Sequence, residues 1–183
     1  MFIAVIALFV ALGASAQTPV PDFKNSPMLL QGGKLTRLEK QSAEIKNKTN
    51  GFGYGGNSTN FHLDGPHSDV RTATNKPEFV IKVDEGVDPE TLFYLTVCLR
   101  SKKGRDVELQ KSSAFAAYGA TGKSAKRFHI KLNYEKVADN VFKITLAEPL
   151  EDAEEYAFIS VGQGSLNGTN SLGYAFGVGA LGK

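Results

Sequence analysis

Between Phe61 and Asp69 the chain reads Phe-His-Leu-Asp-Gly-Pro-His-Ser-Asp, which sets two imidazoles and two carboxylates within eight residues. Imidazole nitrogen with carboxylate oxygen is a donor set suited to zinc and similar divalent ions. A turn at Asp64-Gly65-Pro66 that folded His62 back toward His67 would gather His62, Asp64, His67 and Asp69 into a metal centre, the basis for a metal-binding protein or metal-dependent hydrolase. His129 is the one distant residue that could complete it. The same residues also have a plainer reading. His62 and Asp64 alternate with Phe61 and Leu63, the pattern of the wet face of a short strand, and Asp-Gly-Pro supplies turn chemistry by itself.

Other catalytic patterns lack their context. No Gly-x-Ser-x-Gly elbow occurs, and Cys98, the single cysteine, sits between Val97 and Leu99 as a packed thiol would, with no positioned histidine beside it. Two glycine triplets, 51/53/56 and 177/179/182, match the spacing of a dinucleotide loop. The chemistry needs a strand before and a helix after, and the first runs into Asn57-Ser58-Thr59-Asn60 while the second meets the end of the sequence. They read as a loop and a glycine-rich tail, and no cofactor is expected. Glu151, Asp152, Glu154 and Glu155 read as a solvated turn rather than an acid/base pair.

Charge is distributed more informatively. Residues 100–131 hold nine Lys or Arg against Asp106 and Glu108, net +7, whereas residues 148–155 carry net −5. If consecutive strands alternate in direction, the 101–105 turn shares one end of the molecule with the 135–140 turn and the 162–171 loop, and the acidic loops collect at the other. Opposed charges that screen one another and keep the surface soluble account for this pattern. The alternative is a basic tip around Arg100, Lys102, Lys103 and Arg105 that holds an anionic envelope component. Nucleic acid is not an expected partner at an overall charge of +2. The 51–60 loop, with Phe52, Tyr54 and several asparagines, has the composition of a sugar-contacting surface, although tryptophan is absent.

Strands must position these residues. Phe79, Ile81 and Val83 alternate with Val80 and Lys82, and Phe93, Leu95, Val97 and Leu99 alternate with Tyr94, Thr96, Cys98 and Arg100. Further strands are expected at 107–110, 128–134, 141–146, 156–161 and 172–178, and the 35–48 stretch, where Leu35, Leu38, Ser42 and Ile45 also sit at the spacing of a helix, is read as two short strands after the Gly32-Gly33 turn. Without intervening helical runs this spacing predicts an all-β fold, a single antiparallel β-sandwich of Ig-like or Greek-key type. In such a fold Leu150 to Tyr156 forms a corner at which the Tyr156 hydroxyl ties back to nearby backbone.

The sandwich is expected over 28–178, preceded by a proline-rich lead-in at 17–27 and followed by a flexible tail at 179–183. The first sixteen residues carry no charge and close on Ala14-Ser15-Ala16, the pattern of a secretory signal peptide cleaved before Gln17. The run is shorter than the roughly 20 apolar residues of a spanning helix, and no cysteine stands at the cleavage point to carry lipid. A secreted or periplasmic chain with no membrane span after cleavage follows as the expectation.

The motifs Asp64-Gly65-Pro66-His67-Ser68, Pro77-Glu78-Phe79, Lys102 to Arg105, Pro149-Leu150, Glu155-Tyr156-Ala157-Phe158 and Tyr174-Ala175-Phe176-Gly177 occur in that order. Their succession over 28–178 resembles a group of uncharacterised exported bacterial proteins, with Glu154 here where that group commonly carries glycine. The resemblance implies a β-sandwich and carries no activity. The reading as a whole is an exported, non-catalytic binding or interaction module of the cell envelope, with a ligand or another protein as its partner.

Overall fold

The computed structural model describes residues 18–42, 44–49, 57–112, 129–152, 154–160 and 172–180. Its strands are β1 (Met28–Gln31), β2 (Lys34–Arg37), β3 (Glu39–Ser42), β4 (Glu44–Thr49), β5 (Asn57–Asp64), β6 (Arg71–Thr72), β7 (Glu78–Lys82), β8 (Phe93–Arg100), β9 (Gly104–Ser112), β10 (Leu132–Ala138), β11 (Val141–Leu146), β12 (Glu155–Ser160) and β13 (Leu172–Val178). The first hairpin illustrates how local chemistry sets register. Gln31 pairs with Lys34 across Gly32 and Gly33, whose φ of 58° and 74° meet the demand of a two-residue turn for left-handed backbone at both positions.

The fold is an all-β sandwich. A five-stranded sheet, in the order β10-β11-β7-β1-β2, packs on an eight-stranded sheet, in the order β3-β13-β12-β8-β9-β5-β4 with β6 beside β13. Between them lie Leu29, Phe79, Ile81 and Ile144 from the first sheet and Leu95, Phe158 and Phe176 from the second. Phe79 meets Phe158 edge-on at 4.9 Å and Phe176 at 5.0 Å, geometries that aromatic quadrupoles favour.

The eight-stranded sheet also encloses a core of its own. Phe61, Leu63, Cys98, Val107, Ala157, Ile159 and Ala175 pack together on its other face. It can do so because its outer members, β3 and β4, are separated only by residue 43: β3 pairs with β13 while β4 pairs with β5, so the ladder returns to its start. Gln41 reinforces the closure, its side chain donating to Asp64 O at 3.1 Å and accepting from Asp64 N at 2.7 Å. Small residues on β13 keep the enclosure narrow, since a Cβ on Gly173 would stand 2.8 Å from Leu63 Cδ2.

Several details differ from the sequence reading. The 35–48 stretch holds strands as expected, but three of them. Asn57–Asn60, read as loop, belong to β5, because polar residues can edge a strand whose Phe61 and Leu63 supply the buried face. The strand expected at 128–134 is β10 at Leu132–Ala138, while Ile130 bridges to Leu95 of the other sheet. Gly177 lies within the strand expected at 172–178, where it is pressed against Arg71 and belongs to no glycine loop.

Candidate functional site

Pairing fixes which connections share an end. Glu155 lies opposite Cys98 and Ser160 opposite Phe93, so the acidic connection before Glu155 shares an end with the 101–103 turn, and Ser160 lies at the other. This reverses the expected arrangement. Ile130 runs antiparallel to β8, in the same direction as β9, and strict alternation therefore fails between β9 and β10.

At the 101–103 end a buried ionic network seals the enclosure. Arg105 and Val107 lie two apart on β9, as do Glu155 and Ala157 on β12, so period two sends both charged side chains inward with the apolar ones. Arg105 and Glu155 are each 0% exposed. Arg105 meets Glu39 with two nitrogens at 3.0 and 2.7 Å, and donates to Gly65 O at 3.0 Å and Asp64 O at 2.8 Å. Glu155 receives Arg71 Nη1 at 2.6 Å and Ser68 N at 2.9 Å, with Arg105 Nη1 at 3.7 Å. Arg71 continues to Gly179 O and Val178 O, and it occupies the space a Gly177 side chain would fill. Two arginines and two glutamates thus balance in a site where unpaired charge would be costly.

The network redefines several expected site residues. Arg105 is no part of a basic tip, since its guanidinium is wholly engaged inside. Burial by itself would raise the Glu39 carboxyl, but hydrogen bonds from Arg105 and Ser68 and the guanidinium charge of Arg105, with Gln41 adding a further bond, hold it below its ordinary value. Cys98 faces the same interior, and burial pushes its thiol up to about 12, which makes it inert.

Arg100, Lys102 and Lys103 are exposed, and no described carboxylate forms an ion pair with them. Their turn is firmly held. Ser101 N donates to Gly104 O at 2.8 Å, Gly104 N to Ser101 Oγ at 3.2 Å, and Gly65 N to Lys103 O at 3.3 Å. Phe52 and Tyr54 lie outside the described residues.

The four proposed metal ligands do not converge. His62 Nδ1 is 2.7 Å from Asp106 Oδ1, while His67 Nδ1 faces Glu155 Oε1 at 3.5 Å without hydrogen-bond alignment. Asp64 and Asp69 are exposed, and no group of three or more His, Cys, Asp or Glu able to hold a metal occurs among the described residues. Asp64 lies on a wet face as the plainer reading has it, but His62 does not: its side chain is 13% exposed and is covered beside Asp106, a partner the sequence did not suggest. His129 is exposed and stacks on Tyr94, centroids 4.8 Å apart. Tyr156 ties the corner as expected, its hydroxyl accepting from Glu151 N at 2.9 Å and donating to Glu151 O at 3.2 Å.

The signal for the network was present in the sequence as strand alternation, but Glu155 reads as the last of an acidic run and Arg105 as the last of a basic one. Arg71 and Glu39 carried no such signal. Compared with family models, curated proteins and solved structures, the chain matches none.

Proposed function

We propose that the protein is an exported, non-catalytic binding module of the cell envelope that holds an anionic component at the β8–β9 turn. The observation behind this reading is the placement of Arg100, Lys102 and Lys103. Three exposed cations with no described ion-pair partner stand on a turn fixed by backbone and serine hydrogen bonds. A rigid frame lowers the entropy lost when a ligand binds there. The nearby acidic connection gives a partner's own cations a place to rest, which favours a specific orientation over unselective adhesion.

Sedimentation with phosphatidylglycerol vesicles tests the reading. Binding at low salt should fall as salt rises, and Lys102→Gln with Lys103→Gln should weaken it by roughly thirtyfold, two lysines' share of a surface potential. Absence of binding at low salt, or equal binding by the double variant, would overturn it.

A further inference from the structure

His62 is prepared differently from the other described histidines. Its ring packs over Gly104, where a Cβ would stand 2.8 Å from Nε2, and its side chain is only 13% exposed, so its orientation is fixed. With Nδ1 2.7 Å from Asp106 Oδ1, the Nδ1–H donates to that carboxylate, and in the neutral ring this leaves the Nε2 lone pair directed toward Asp64. A carboxylate behind an imidazole in this way is the arrangement that orients histidine toward a metal. Asp64 lies two residues along β5 on the same face. It brings Oδ1 to 3.7 Å from Nε2, and its side chain is 94% exposed.

Two ligand atoms each about 2.1 Å from a tetrahedral ion stand roughly 3.4 Å apart. A movement of a few tenths of an ångström by the freely exposed Asp64 carboxylate closes that difference. We propose that His62 Nε2 and the Asp64 carboxylate form a two-ligand site, reached by solvent from the Asp64 side, for a divalent transition ion of the zinc type, with Asp106 as its positioning residue. Water completes the coordination. One imidazole favours zinc and its neighbours in the series over calcium or magnesium, which prefer all-oxygen sites. The site excludes His67, which faces Glu155, and it borders the cationic turn, since Asp64 pairs with Gly104 and Gly65 N donates to Lys103 O. The rival is a simple ion pair, with a protonated His62 between Asp64 and Asp106.

Zinc titration of the protein by calorimetry, with the histidine ring resonances followed by NMR, separates the two. The site predicts one saturable event that shifts the His62 ring and leaves His67 unmoved. Asp64→Asn, at an exposed position that leaves the fold intact, should weaken zinc by tenfold or more, and His62→Gln should abolish binding. Asp106→Asn retains both ligands yet should cost roughly 10- to 100-fold in affinity. No saturable zinc binding, undiminished binding in Asp64→Asn, or a response centred on His67 would overturn the proposal.

Discussion

Replacing Glu155 by glutamine removes one charge from the sealed end while keeping the side chain's shape. The wild-type carboxylate is 0% exposed and faces Arg71 at 2.6 Å and Arg105 at 3.7 Å. Near 4 Å and an effective dielectric of about 20, each such attraction is on the order of 4 kcal/mol before desolvation is counted. Burying the carboxylate offsets much of that, so the pair's net worth is small. The variant loses both attractions, leaving the Arg71 guanidinium without its ion-pair partner and Arg105 with Glu39 alone, and breaking a buried pair from one side costs about 3–5 kcal/mol. Guanidinium-chloride unfolding of wild type and Glu155→Gln, followed by far-UV circular dichroism, measures the difference, with an unchanged m-value as the sign that the unfolded state is the same. A loss below about 1 kcal/mol would refute the reasoning, because it would mean that water already screens the network. Adding Arg71→Met should recover part of the loss, since it removes one of the uncompensated charges.

Glu39 has a folded pKa below its ordinary value of 4.5, so its contribution is complete above that pH and is lost as pH falls through the folded value. Stability measured from about pH 6 down to pH 3 should therefore drop less steeply in Glu39→Gln than in wild type. Cys98, pushed up to about 12, should react with a thiol reagent at neutral pH only as fast as the protein opens, and labelling rates should track unfolding in denaturant. Gly177→Ala places a Cβ against the Arg71 guanidinium and should cost more than about 2 kcal/mol by chemical denaturation, by pulling Arg71 off Glu155. For export, intact mass of protein recovered outside the cytoplasm should show Gln17 as the first residue.

Alternation made the sandwich legible, because a period of two over Phe79 to Val83 and Phe93 to Leu99 leaves little choice but strands with a buried face. The corner at Tyr156 was legible for a similarly local reason: five residues separate the hydroxyl from its backbone partner. What did not show was long-range. Leu99, for example, continues the apolar alternation of β8 yet is 50% exposed and joins neither core. Cys98 and Val107 belong to an enclosed second core, which depends on β3 and β4 pairing with strands far apart in the ladder. Likewise, a run of like charges reads as surface until one knows that its last member already lies within a strand, Arg105 as the second residue of β9 and Glu155 as the first of β12. The four candidate ligands do not come together, because the turn after Asp64 carries His67 toward Glu155 instead of back to His62.

The closure through β3 and β4 also bears on the order of events during synthesis. Ser42 pairs with Leu172, about 130 residues later, while its chain neighbour Glu44 pairs with His62. The β4–β5 hairpin can form early from nearby residues, but the hoop cannot be completed until the last strand has been made. Until then the apolar face holding Phe61 and Leu63 lacks the cover that Ala175 of β13 gives it. Closure should be the slow step of folding, as expected where distant partners must meet before their contacts reward the meeting.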